Sequence, residues 1–196
     1  MGNSINAKMM RQLEIYMNIQ QTEFHGPDDL MRRFKINRRM LQRDLKDLRD
    51  AGIIRLKLDK KHNNYIESDE SPVFDESATG RHRQHLVRLN RIATLIDDLE
   101  RTDVYELEQY ESEYNEYLDL IELSKEDPIT FPPESIGDPP VMPHLTDVNA
   151  SYYSLFPDSN ERMRQRDYQA LNELGYEIHY SRKYKTVIFK DTFWDY

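Results

Sequence analysis

The sequence predicts a mainly α-helical chain with small β-hairpins, an α+β fold class. Several segments place apolar residues at helical spacing, a strand-like alternation follows Gly52, and a version of this pattern returns 123 residues later. The 196 residues are enough for one or two domains, and an apolar content of 38% supports small cores rather than one large core.

Two helices are predicted before residue 36. Residues 5–21 carry apolar side chains at helical spacing, which predicts the first helix. Pro27 followed by Asp28 and Asp29 predicts the start of a short second helix. Proline is tolerated in a first helical turn, and acidic residues there favour the helix dipole.

A cationic amphipathic helix is predicted between Asn37 and Gly52. Leu41, Leu45 and Leu48 form one apolar stripe. Asn37 is a good N-cap, and Gly52 is a good stop just past the last turn. The residues off the stripe are Arg38, Arg39, Gln42, Arg43, Lys46 and Arg49. A short helix with basic residues near its start and an apolar back suits the DNA major groove.

A hairpin is predicted directly after this helix. Leu56 and Leu58 alternate with Arg55 and Lys57, which is the period of a half-buried strand. A polar turn over residues 59–64 precedes the return strand at 65–66. Helix, short helix, third helix and hairpin follow one another in the order of a winged helix-turn-helix, predicted here for residues 1–66.

Residues 29–54 resemble the DNA-binding domain of DeoR- and YafY-type bacterial transcriptional regulators. The matching positions are Leu30, Phe34, Arg39, Arg43, Asp44, Leu45, Leu48 and Gly52, with Ile36, Asn37, Met40 and Leu41 standing where that family has Val, Ser, Thr and Ile. The resemblance covers residues 5–66, and it implies that residues 37–43 approach bases and phosphates. The chain has no Trp-Tyr-Leu motif, so we do not expect that family's ligand-sensing WYL domain.

We therefore predict one set of DNA-contacting residues on the third helix and the hairpin. It comprises Asn37, Arg38, Arg39, Met40, Gln42, Arg43, Lys46, Lys57, Lys60, Lys61 and Asn63. The alternative is that this basic face is only solvated, as such faces usually are. We expect Asp44 to orient Arg43 or a neighbouring cation, and His62 to be a turn residue.

The third helix has a second, degenerate copy. Shifted by 123 residues, the following positions are identical without a gap: Asn160, Arg162, Met163, Gln165, Arg166, Asp167, Leu171 and Gly175. A strand-like run, a basic turn at 181–185 and a β-prone return strand at 186–189 follow. We predict a second winged helix over residues 145–196.

This second copy departs from the first in two ways. Arg164 stands where Leu41 packs, so we expect the helix to rotate or pack differently. Residues 132–144 hold five prolines and cannot supply a regular first helix, which must come from elsewhere or be missing, whereas residues 151–156 could supply the second. A possible second DNA-contact set is Arg162, Gln165, Arg166, Arg182, Lys183 and Lys185. A structural or dimerising role for this copy is an equal alternative.

Residues 81–124 are a long helical candidate, or two helices joined near Thr102. The spacing from Leu107 onward alternates between three and four residues, as in coiled coils. We predict a homodimer that uses Leu89, Ile96, Leu107, Tyr110, Tyr114, Tyr117 and Ile121. The alternative is a helix that faces the core of its own chain. Residues 67–80 and 125–144 are predicted linkers, the second rich in proline and acidic residues.

The net charge of −9 is unevenly distributed. Residues 1–65 hold 14 basic against 8 acidic side chains, a net of +6, residues 66–160 hold 6 against 22, a net of −16, and residues 161–196 hold 7 against 6, a net of +1. Screening over roughly 8 Å at physiological salt makes the local charge decisive. The first domain therefore remains suited to DNA.

Other classes of function find less support in the sequence. It has no Gly-rich phosphate loop, His-Glu-x-x-His motif or nucleophile elbow, so we expect no enzyme activity and no cofactor or metal. There is no cysteine, no apolar run long enough to span a membrane and no signal-like start, which predicts a cytoplasmic, nucleoid-associated protein.

The leading hypothesis is a bacterial sequence-specific regulator of transcription that binds double-stranded DNA as a homodimer. Repression is the commoner outcome of promoter occupancy. One alternative is a plasmid or phage replication initiator with two winged helices. Another is a tandem winged-helix adaptor that binds proteins. The sequence gives no operator and no small-molecule effector.

Overall fold

A computed structural model describes residues 7–21, 26–100, 105–145 and 147–191. The described chain is mainly helical with two small antiparallel hairpins, which confirms the predicted α+β class. It forms two compact units. Unit 1 comprises Met1–Leu99 and Ser159–Gly175, and unit 2 comprises Glu100–Asp158 and Tyr176–Tyr196.

The elements follow one another along the chain with these bounds. They are α1 (Ala7–Gln21), α2 (Pro27–Arg33), α3 (Arg38–Asp50), β1 (Leu56–Asp59), β2 (Asn64–Glu67), α4 (Gly80–Glu100), α5 (Tyr105–Glu126), α6 (Val148–Leu155), α7 (Glu161–Glu173), β3 (Tyr176–Ser181) and β4 (Thr186–Asp191). One 3-10 turn, Pro133–Ser135, interrupts the proline-rich segment after α5.

The core of unit 1 is built from the apolar faces of its helices. Leu13 of α1, Leu41 and Leu48 of α3, and Leu86 and Leu89 of α4 are fully buried. Helix α3 packs against both α1 and α2. The predicted cap is present, because the Asn37 side chain accepts a hydrogen bond from the Met40 backbone N–H at 2.9 Å. The first three helices thus form around the apolar stripes expected from the sequence.

Gly52 ends α3 where a larger residue would not fit. Its φ is +70°, in the left-handed region that favours glycine. A Cβ there would lie 2.9 Å from the Phe74 backbone nitrogen. The neighbouring Ala51 forms an isolated antiparallel bridge with Phe74, and its carbonyl accepts a hydrogen bond from the Asn90 side chain at 2.9 Å. This close approach ties the end of α3 to α4 and to the segment before it.

Helix α4 corrects part of the predicted dimer surface. Leu89 and Ile96 are 0% exposed within a single chain, so they belong to the core of unit 1 and offer a second copy no surface. The alternative interpretation, a core-facing helix, holds for this segment. The predicted break near Thr102 lies outside the described residues, and α4 and α5 flank it as separate helices.

Unit 2 contains α5, α6 and the hairpin of β3 and β4. Strand β4 lies beside α6, whose Tyr152 is fully buried and packs edge-on against Phe156. Leu107 of α5 is only 5% exposed, which also removes it from the predicted dimer surface, whereas Tyr110, Tyr114, Tyr117 and Ile121 are half-buried. Helix α6 occupies the segment expected to supply a short helix before α7.

The unit boundaries differ from the predicted domain boundaries. Unit 1 continues through the predicted linker at 67–80 into α4, and it also takes in α7. The predicted domain at 145–196 is divided between the units, with α7 in unit 1 and both α6 and the second hairpin in unit 2. Helix α7 joins unit 1 because its inward face meets α4, as described below.

Candidate nucleic-acid interface

Helix α3 separates its side chains into two faces. Leu41, Leu45 and Leu48 are buried on one face. Arg38, Arg39, Gln42, Arg43, Lys46 and Arg49 are exposed on the other, and Met40 is half-buried between them. The structure therefore places the predicted basic residues of α3 together on one accessible surface.

Three arginines of this surface are available to a ligand. The guanidinium groups of Arg38, Arg39 and Arg43 form no hydrogen bond or ion pair with the described part of the chain. Lys46 differs, because its ammonium lies 2.6 Å from a carboxylate oxygen of Asp50. The hydrogen bond to Asp50 raises the pKa of Lys46. This ion pair is exposed and one turn apart on the helix, a geometry that contributes little stability.

Asp44 fixes the orientation of α3 from its buried side. The prediction named Arg43 or a neighbouring cation, and the cation is Arg11 of α1, which donates two hydrogen bonds to the carboxylate, at 2.7 Å from Nε and 3.2 Å from Nη2. Gln12 of α1 donates a third at 3.2 Å. The hydrogen bond to Asp44 raises the pKa of the Arg11 guanidinium. Because the pair is bidentate and Asp44 is 1% exposed, it restrains the rotation of α3 against α1.

Asp47, one turn further along, forms a second polar anchor. Its carboxylate lies 2.6 Å from Lys8 Nζ and accepts a hydrogen bond from Gln12 at 2.8 Å. Burial alone would raise the pKa of Asp47, but these two contacts outweigh it and lower the pKa. His85 of α4 approaches the same cluster, 2.8 Å from the Gln12 side-chain oxygen, and burial lowers its pKa. Sequence reasoning missed this polar junction of three helices.

The hairpin after α3 carries the other predicted contacts. Strand β1 pairs with β2 so that Lys57 faces Ile66 and Leu58 faces Tyr65 across the ladder. Lys60, Lys61 and Asn63 are exposed at the turn, and Asn63 has φ +52°. The His62 ring nitrogen Nδ1 lies 2.5 Å from the Asp59 carboxylate, which makes His62 part of the turn. Lys57 is exposed and lies 3.6 Å from Asp69.

The hairpin lies within the electrostatic reach of α3. Burial raises the pKa of the Tyr65 hydroxyl, while the charges of Arg49 and Arg38 lower it. The cations of the helix and those of the turn all belong to unit 1 and are exposed, and we group Arg38, Arg39, Arg43, Lys60 and Lys61 as one candidate basic surface. We refer to it as the α3 surface.

One group of side chains near α3 has a metal-like composition. Asp47, Asp50 and His82 bring one ligand atom each to within 4.8 Å of one another. Both carboxylates are already bound to lysine ammonium groups, Asp47 to Lys8 and Asp50 to Lys46. An ion there would have to displace these lysines, and we assign none.

The second predicted contact set is divided between the units. On α7, Arg162 and Gln165 are exposed and Arg166 is half-buried. In the β3–β4 hairpin, Arg182 and Lys185 are exposed. Lys183 is occupied within unit 2, because its ammonium lies 3.6 Å from Glu111 and 4.9 Å from the centre of the Tyr184 ring. These contacts argue against a place for Lys183 in the DNA-contact set.

The Lys183 contact also engages the predicted dimer stripe on α5. Its ammonium lies 5.9 Å from the Tyr110 ring centre and 5.8 Å from that of Tyr114. Tyr184 donates a hydrogen bond to Glu111 at 2.8 Å. This half of the tyrosine stripe therefore packs against the chain's own hairpin.

Comparison with known proteins identifies no relative, since no protein-family model, curated protein or solved structure matches the chain. Within the described ranges, every helix is too short or too polar to cross a membrane.

Proposed function

We propose that this chain is a sequence-specific DNA-binding regulator of transcription, which contacts double-stranded DNA through the α3 surface. In this proposal α1–α3 and the β1–β2 hairpin act as a winged helix-turn-helix, with α3 in the major groove. The observation that carries the proposal is the accessibility of Arg38, Arg39 and Arg43 on the outer face of a helix whose inner face is held rigidly. Arginine is the side chain best suited to bidentate contact with guanine.

The support for α3 is structural as well as electrostatic. A helix that discriminates bases must present its side chains in a fixed orientation. The bidentate Arg11–Asp44 pair and the Lys8–Asp47 pair supply that restraint on the side opposite the arginines. The exposed Lys60 and Lys61 extend the positive charge beyond the helix, where they can neutralise phosphates. Base contact and phosphate contact are thus assigned to different elements.

The test is selection of duplex DNA from a random pool with the purified full chain, followed by affinity measurements. Arg39→Ala and Arg43→Ala should each cost roughly 1–3 kcal/mol of binding free energy and relax the enriched motif. Replacing Lys60 or Lys61 with alanine should weaken all sequences alike and reduce the salt slope by about 1 per lost phosphate contact.

Arg81→Ala is the matched control, since Arg81 is also an exposed arginine of unit 1 and lies outside the α3 surface as defined above. It should leave the motif unchanged. Affinity that stays the same in both α3 variants would remove the proposal. Absence of any binding at low salt would favour the protein-interaction adaptor instead.

A further inference from the structure

Helices α3 and α7 are built on the same frame. Both have 13 residues, and both begin after an asparagine whose side chain accepts a hydrogen bond from the third following N–H, at 2.9 Å in α3 and 3.0 Å in α7. Both are followed by a glycine with positive φ, +70° at Gly52 and +105° at Gly175. The internal repeat seen in the sequence is therefore a repeat of local structure.

Each of the two helices is anchored by a buried aspartate at the same position. Asp167 of α7 is 0% exposed and pairs with Arg91 of α4 through Nε and Nη2, the latter at 3.0 Å, just as Asp44 pairs with Arg11 of α1. A second cation stands three residues earlier on each supporting helix. Lys8 of α1 binds Asp47, and Arg88 of α4 lies 4.0 Å from Asp167. Helix α4 thus supports α7 as α1 supports α3.

The shared anchor gives both helices the same inward positions. Leu48 and its counterpart Leu171 are fully buried, and Ala51 and its counterpart Leu174 are buried as well. Of the two expected consequences of Arg164, a rotated helix or different packing, the second is the one observed. The Arg164 guanidinium lies over the Tyr168 ring at 5.9 Å, which lets it occupy the half-buried position that corresponds to Leu41.

Part of the outer face is identical in the two helices, although Glu161, Gln169 and Asn172 replace Arg38, Lys46 and Arg49. The Arg-x-x-Gln-Arg series of Arg39, Gln42 and Arg43 recurs as Arg162, Gln165 and Arg166, and five of these six residues are exposed. On the inner face Asp44 and Leu48 recur as Asp167 and Leu171, whereas four positions have changed, with Arg164, Tyr168, Ala170 and Leu174 replacing Leu41, Leu45, Asp47 and Ala51. Packing constrains the inward positions most. The recurrence of the largely exposed Arg-x-x-Gln-Arg series is not explained by packing.

We propose that α7 is a second DNA-contacting helix of unit 1, so that a single chain binds a bipartite duplex site. This inference rests on the proposed function of α3. Arg162, Gln165 and Arg166 would face the second groove segment, and because they repeat the series of α3, the two half-sites share related base pairs. Arginine pairs with guanine and glutamine with adenine in the major groove.

Charge differences make α7 the weaker of the two contacts. Glu161 stands where α3 has Arg38, and Gln169 stands where α3 has Lys46. Glu161 also lies 3.8 Å from Arg164 and accepts a hydrogen bond from Gln165 at 3.1 Å. Fewer cations mean fewer phosphate contacts and a smaller contribution to affinity. Leu89 and Ile96 of the predicted dimer surface are buried in unit 1, the unit that holds both α3 and α7.

The experiment compares footprints of the full chain and its variants on a selected duplex. The wild-type monomer should protect two segments. The double variant Arg162→Ala/Arg166→Ala should lose protection of one segment and bind about tenfold more weakly, while Arg39→Ala/Arg43→Ala should lose the other segment and bind more than tenfold more weakly. Thermal unfolding of both variants checks that each remains folded.

A variant that adds positive charge separates loss of DNA contact from misfolding, because it is expected to strengthen binding rather than weaken it. Glu161→Arg restores the cation that α3 has at this position and should tighten binding severalfold with a steeper salt dependence. If only the α3 variant loses binding and the α7 variants behave as wild type, α7 is not a DNA contact and the proposed function stands. If neither helix variant alters binding, both proposals fall. A palindromic site bound by two chains would also overturn the inference.

Discussion

The α1–α3 pair and the α4–α7 pair use the same buried arginine–aspartate contact inside different surroundings. Around Asp44 the neighbouring α3 residues are leucines, with a second carboxylate at Asp47. Around Asp167 the corresponding positions hold Tyr168 and Ala170. The polar contact and the buried Leu48/Leu171 position persist while the other inward residues vary, which teaches that a bidentate pair and one leucine can set the rotation of a helix.

Removal of the buried carboxylates should have the largest effect. Asp167→Ala removes the carboxylate that pairs with the half-buried Arg91, and we expect the free energy of unfolding to fall by about 3–5 kcal/mol. Asp44→Ala should cost less, because Asp47 remains close to Gln12 and Lys8. Urea titration of both variants measures the difference. Equal losses in the two variants would show that Asp47 contributes nothing. The double variant Arg91→Met/Asp167→Leu should have a free energy of unfolding close to that of the wild type.

The inward residue of the first turn should show the next largest difference. Leu41→Ala removes a fully buried side chain and should cost about 2–5 kcal/mol. Arg164→Ala, at the corresponding position, removes contact with the Tyr168 ring and a partly exposed ion pair with Glu161, and it should cost about 1 kcal/mol. Thermal unfolding of the two variants provides the measurement. A larger loss for Arg164 would mean that its half-buried guanidinium anchors α7 more strongly than packing does.

The smallest expected effect is on the pH dependence of the free energy of unfolding. It should distinguish the α1–α3 pair from the α4–α7 pair. Burial lowers the pKa of His85, which faces Gln12, Lys8, Asp47 and Asp44 from α4. The unfolded chain therefore takes up this proton at a higher pH than the folded chain does. The contribution of neutral His85 to the free energy of unfolding is fully present above about pH 6.5. It declines as the pH falls through the pKa that His85 has in the folded chain.

The free energy of unfolding should accordingly decrease between about pH 7 and pH 5. The decrease should be smaller in His85→Gln, whose amide can still donate a hydrogen bond to Gln12. The same slope in both proteins would show that other groups cause it. His179→Gln, at an exposed histidine of unit 2, is the matched control for the loss of an imidazole.

Local features of the fold could be predicted from the sequence, and long-range ones could not. The Asn37 cap, the Gly52 stop and the outward face of α3 follow from residue type and spacing within one helix. The partner of Asp44 is Arg11, 33 residues away, and periodicity carries no information about it. An aspartate one position before Leu45 on the inward side was the available signal, since a buried carboxylate requires a cation or donors.

The second half of the molecule shows the same limit. The sequence identified the α7 repeat and its missing first helix, but it did not identify α4 as the substitute. It also placed Lys183 in the possible second DNA-contact set, because the spacing of tyrosines on α5 does not reveal which side chain they contact. Both contacts join elements more than 70 residues apart, and they depend on tertiary packing rather than on local propensity.

The dependence of α7 on α4 has a consequence for the newly synthesised chain. Arg11 and Asp44 are only 33 residues apart in the sequence and leave the ribosome close together in time. The contact between α1 and α3 can therefore form early. Asp167 is synthesised 76 residues after Arg91, and the whole of α5 and α6 is synthesised in between. The N-terminal head should therefore mature co-translationally, whereas the second pair forms late, at a stage when chaperones could govern its assembly.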